Sequence, residues 1–117
     1  MSQAAPRWQQ VATLSELCPD QPIEKKVGTR QLVLVNHAGQ IHALDATCPH
    51  KHGNLAAGKI VLGELACPLH GFRYSLSTGQ AAVPSQVPGV RSYPVSIDGD
   101  YVLVSLRTRR PGPTPHS

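Results

Sequence analysis

Four apolar residues, Leu32-Val33-Leu34-Val35, follow one another without a polar interruption. A strand with one wet face alternates apolar and polar positions, so an unbroken run of this kind describes a strand covered on both faces. Around it the apolar residues arrive in short bursts. Residues 8–17, WQQVATLSEL, read as a first strand running into a turn. PIEKKV at 22–27 and RQLVLVNHAGQIHALD at 30–45 read as strands, the second folded into a hairpin at His37-Ala38-Gly39-Gln40. His42 lies in the mixed stretch Ile41-His42-Ala43-Leu44 and reads as a strand residue. VRSYPVSI at 90–97 and YVLVSL at 101–106 read as further strands, joined by Asp98-Gly99-Asp100, a strong hairpin signal.

Between Asp45 and Gly79 the pattern changes. Glycines stand at 53, 58, 63, 71 and 79, and two stretches rich in cysteine and histidine, CPHKHGNL (48–55) and CPLHG (67–71), flank a short hairpin, KIVLGELAC. This segment, about 45–79, reads as a small subdomain inserted into a β framework. The whole predicts an all-β protein with one ordered domain over 1–106. The tail 107–117, RTRRPGPTPHS, has three prolines, no large apolar residue and no period, and is expected to be disordered.

Composition supports this picture and narrows the function. Eleven prolines, ten glycines and 4% aromatic residues suit many short strands joined by turns, and 117 residues suit one modest core with no second substrate-binding domain. The net charge of +4 draws three units from Arg107, Arg109 and Arg110 in the tail, leaving a body with 8 basic against 7 acidic residues. No nucleic-acid footprint is therefore read. No apolar run approaches a membrane span, and MSQAAPRWQQ lacks the features of a secretory signal, so a soluble cytoplasmic protein with no membrane contact is expected. Three cysteines are too few for a disulfide framework and point to metal-binding or reduced thiols.

Taken as metal ligands, Cys48 and His50 are separated by one residue, Cys67 and His70 by two, and the pairs by the sixteen residues from Lys51 to Ala66. Two thiolates and two imidazoles suit either a single zinc ion or a two-iron, two-sulfide cluster in which each iron takes a different pair. Zinc pairs usually follow C-x2-4-C and H-x3-5-H spacing, for which C-x-H is tight. The same tightness suits two neighbouring metal ions, with each loop giving its cysteine to one and its histidine to the other.

The pattern C-x-H, sixteen residues, C-x-x-H resembles that of the Rieske iron–sulfur family. The likeness extends through CPHKHGNL, with Leu55 seven places after Cys48, CPLHGFRYSLSTG, and the strands from YPV to YVLVSL, over roughly residues 8–106. It implies a Rieske-like antiparallel β-sandwich with a small cluster-binding subdomain, and one [2Fe-2S] cluster held by Cys48, His50, Cys67 and His70. His52 competes with His50, and the family pattern favours His50. Two ferric ions, two sulfides and two thiolates sum to zero formal charge, whereas four thiolates would leave minus two, so histidine ligation eases reduction. The implied role is that of a small ferredoxin, not itself an enzyme. As a monomer it would carry single electrons from a flavin-dependent reductase to a terminal oxygenase, as in ring-hydroxylating dioxygenase systems. The alternatives are the small subunit of an assimilatory nitrite reductase and, in another class, a zinc-stabilised binding module.

Members of the high-potential branch carry a further cysteine in each loop and a serine after the second His-Gly. This chain has Gly53, Leu69 and Phe72 at those places, while Tyr74 matches a tyrosine that donates to a ligand sulfur. Fewer donors leave the reduced cluster less stabilised, so the resemblance implies a potential at the low end of the Rieske range, about −150 mV. Other candidates read blandly: Cys18 as a spare thiol, His37 and His42 as turn or strand residues, Lys51 and Arg73 as solvated charges, Gly71 and Gly79 as shapers of the backbone.

Overall fold

The computed structural model describes residues 8–47, 54–68, 72–83 and 89–106. In these the strands are β1 (Trp8–Thr13), β2 (Ile23–Val27), β3 (Arg30–His37), β4 (Gln40–Asp45), β5 (Lys59–Val61), β6 (Glu64–Ala66), β7 (Arg73–Ser75), β8 (Ala81–Val83), β9 (Ser92–Tyr93), β10 (Val95–Asp98) and β11 (Tyr101–Ser105). They form three sheets, ordered β1-β11-β10, β2-β3-β4-β9 and β5-β6-β7-β8. Every pairing between these strands is antiparallel, as the Rieske resemblance implies, and one isolated bridge, Pro19 to Asn36, is parallel. No helix among them is long and apolar enough to cross a membrane.

The unbroken run in β3 has its explanation in two cores. Val33 and Val35 face one core with Leu44, Leu55, Leu65, Tyr74 and Cys67, while Leu32 and Leu34 face the other with Ala12, Tyr93, Val102 and Val104. All four are fully excluded from solvent. Burial of each contributes about 1.5–3 kcal/mol relative to exposure, so this strand is the wall against which both halves of the molecule are built.

Hairpin chemistry fixes the rest. Ala38-Gly39 and Leu62-Gly63 are two-residue turns with both residues at positive φ (55° and 82°, 54° and 77°), the twist-matching geometry for tight hairpins. At Gly79, φ is +77° and a Cβ would stand 2.0 Å from the Val90 carbonyl oxygen, so the backbone there admits no side chain. This closes the segment between β7 and β9, since the Val90 N–H donates to the Gly79 carbonyl at 2.8 Å.

The structure corrects one expectation. VRSYPVSI, read as a single strand, divides at Pro94 into β9, which pairs with β4 in the second sheet, and β10, which pairs with β11 in the first. Proline offers no N–H to a ladder, and its carbonyl accepts the Ser105 N–H at 3.1 Å instead. Strands β7 and β8, three residues each, carry too little alternation to be read from sequence. The tail 107–117 lies outside the described residues.

Candidate metal centre

Two loops leave the body through narrow necks. At the end of β4, the Ala46 N–H donates to the Gln31 carbonyl at 3.0 Å, Thr47 bridges to Asn54, and the Leu55 N–H donates to the Ala46 carbonyl at 2.6 Å. The described residues on either side of 48–53 are thereby pinned together. Beyond the neck, the Asn54 side chain accepts the Ala56 N–H at 2.9 Å and caps a 3₁₀ turn, Leu55–Ala57. The second neck lies between β6 and β7, where the Cys67 N–H donates to the Phe72 carbonyl at 2.7 Å around residues 68–71.

The two necks share one core. Ala46, Leu55 and Cys67 are buried in it, and Phe72 packs against it. Gly58 permits the approach, since a Cβ there would stand 2.0 Å from the Ala66 carbonyl oxygen, at the end of β6. Cys67 is 2% exposed, and Tyr74, fully buried, belongs to the same core. Of the four expected ligands, Cys67 alone lies within the described residues; Cys48, His50 and His70, like His52, Lys51, Gly53, Leu69 and Gly71, lie outside them. The donor types fit a [2Fe-2S] group: the sequence offers a cysteine and a histidine at each of the two segments, and the flanking residues of both share one core.

The model of the Rieske [2Fe-2S] domain matches residues 7–94. The chain belongs to this family. As a Rieske protein it carries one [2Fe-2S] cluster per chain, the one-electron redox group of this family. It is 29% identical over 100 residues, 86% of this chain and 96% of the relative, to the ferredoxin component of the naphthalene 1,2-dioxygenase system of Pseudomonas aeruginosa. Among solved structures it resembles the ferredoxin of carbazole 1,9a-dioxygenase from Nocardioides aromaticivorans IC177, with a TM-score of 0.78 and 33% identity over 84% of this chain and 96% of that one. A complex of reduced oxygenase and oxidised ferredoxin in carbazole 1,9a-dioxygenase matches at 0.77 with 25% identity, over 87% of this chain and 95% of that one. Nitrite reductase small subunits match at 17–18% identity, a likeness of fold alone.

Around this Rieske site the other sequence candidates fall where their environments put them. Cys18 is exposed. His37 pairs with Asp20 at 2.7 Å, and Arg73 with Glu64 at 3.4 Å, both partly exposed. His42, on β4, lines a separate cavity of about 500 Å³ with Ile41, Leu76, Val95 and Ile97. Burial lowers its pKa, the nearby His37 adds to the effect, and the Leu76 carbonyl opposes it.

One cluster of polar residues was not legible. Tyr93 donates its hydroxyl proton to Asp45 at 2.5 Å and accepts from Arg30 at 3.3 Å. Burial, then the bond to Asp45, pushes the Tyr93 pKa up to about 12. Asp45 is the last residue of β4 before the first neck, so this network ties β9 and β3 to the stem of the ligand loop. Its members are separated by as many as 63 positions, and no local motif joins them.

Proposed function

We propose that this chain is a low-potential Rieske ferredoxin that accepts single electrons from a flavin-dependent reductase and delivers them to a terminal oxygenase, with Cys48, His50, Cys67 and His70 as the cluster ligands. The observation that carries the reading is the pair of adjoining necks on one core, each opening into a loop that holds one cysteine and one histidine of the family pattern. The third sheet, β5 to β8, is the cluster-binding part of the molecule.

When bound, the cluster takes up and gives back one electron. The chain's own work is to hold it still and near the surface. The buried Cys67 is fixed against the core, and the Ala46–Leu55 and Thr47–Asn54 pairings hold together the two ends of the sequence segment that contains Cys48 and His50. A rigid frame limits rearrangement when charge changes. Oxygenase-system ferredoxins match this chain at 29–33% identity over most of its length, which supports the oxygenase as electron acceptor.

The test is direct mixing. The chain, reduced beforehand and freed of reductant, is mixed anaerobically with an oxidised ring-hydroxylating oxygenase, and its reoxidation is followed by absorbance. Stoichiometric one-electron transfer is expected. Failure with oxygenases, alongside transfer to a nitrite reductase catalytic subunit, would move the chain to the other reading.

A further inference from the structure

Two basic side chains beside the first neck have no carboxylate partner among the described residues. A cavity of about 370 Å³ opens there, lined by Lys26, Thr29, Arg30, Gln31, Asp45 and Thr47. Lys25, Arg73 and His37 are each paired with an acid, Glu16, Glu64 and Asp20 respectively. Lys26 and Arg30 form no such pair among the described residues.

Arg30 is held in place all the same. It is partly buried, and its Nη1 donates to the Tyr93 hydroxyl at 3.3 Å. The Tyr93 proton is committed to Asp45, so the hydroxyl turns a lone pair toward the guanidinium. Asp45 is thus engaged by tyrosine rather than by arginine, and among the described residues Arg30 donates to Tyr93 alone. An oriented guanidinium, a lysine and two threonine hydroxyls at the wall form a set suited to a carboxylate, which accepts a fork of N–H groups.

The location assigns the occupant. Thr47 is on the wall and in the sequence directly precedes Cys48, the first residue of the family pattern. A protein that takes an electron at the segment following Thr47 therefore comes close to this recess. We propose that it receives an aspartate or glutamate from an acidic surface of the oxygenase, and so sets where that protein sits on the first loop. This rests on the oxygenase-ferredoxin reading above, and the oxygenase is the partner seen beside a relative in a solved complex. Charges at an interface edge act chiefly on the association rate and its salt dependence.

The experiment uses the cluster-loaded chain, reduced beforehand, and follows the second-order rate of oxygenase reduction against ionic strength. The wild-type rate is expected to fall as salt rises. Lys26→Gln and Arg30→Gln should each lower it about three- to tenfold at low salt and flatten the slope, with midpoint potential unchanged. Arg30→Lys, which keeps the charge and loses the fork, should recover part of the rate. Lys26 is exposed and makes no side-chain hydrogen bond among the described residues, so its variant tests the proposal even where Arg30→Gln folds poorly. Wild-type rates in both glutamine variants, a wild-type rate that rises with salt, or an equal loss in Lys25→Gln, whose charge is already paired with Glu16, would overturn the docking site. Absence of any wild-type transfer would instead overturn the function on which it rests.

Discussion

Leu62 occupies the first position of the β5–β6 turn at φ 54° and is 87% exposed. A side chain with a Cβ pays about 1–2 kcal/mol in this left-handed region, and asparagine pays less. Leu62→Asn should therefore raise stability by about 1 kcal/mol, read as a higher denaturant midpoint; a lower midpoint would show that the leucine packs. Gly79→Ala should act the other way, since its Cβ would collide with the Val90 carbonyl at 2.0 Å and φ is +77°. A loss of several kcal/mol is expected, about the upper range for single substitutions. The family's cysteine and histidine pattern was legible at this scale, because its spacing is itself the signature of the Rieske domain. Arg30, Tyr93 and Asp45 were not, because a network that joins β3, β4 and β9 exists only after the sheet has paired.

At the scale of elements, β3 announced itself through an apolar run that only a doubly covered strand explains, and β4 and β11 through their turns. Leu34→Ala should cost about 2–5 kcal/mol by chemical denaturation, as expected for a fully buried leucine in a packed core. Pro94 was read through as part of one strand, because the change of sheets there depends on β4 and β11 offering edges on either side, which no local pattern announces. Two groups on these strands give the fold a pH dependence. The His42 pKa is lowered by burial, so the unfolded chain binds the proton more readily, and stability should fall as pH drops below about 6.5 toward the depressed folded value. His42→Gln should flatten that slope in melts recorded across the range. Tyr93 has the opposite sign: its pKa is raised from 10.0 to about 12, so its contribution is complete below 10 and lost as pH rises through 12. Tyr93→Phe should remove this alkaline loss, and an unaltered alkaline profile would assign it to other groups.

For the molecule as a whole, the antiparallel framework and the family were legible, since short strands, tight turns and two spaced clusters agree with one another. The shared core beneath the two necks was not, because Ala46, Leu55 and Cys67 meet only in three dimensions. The same assembly bears on the central claim, that two cysteines and two histidines hold a two-iron cluster tuned for a flavin-linked donor. A redox titration of the purified protein, monitored by the visible spectrum, tests it most directly. Histidine ligation without the extra cysteines and the serine places the one-electron midpoint at the low end of the Rieske range, about −150 mV. A midpoint near −400 mV would contradict the histidine ligands, and one near +300 mV would contradict the low-potential branch and the partners proposed with it.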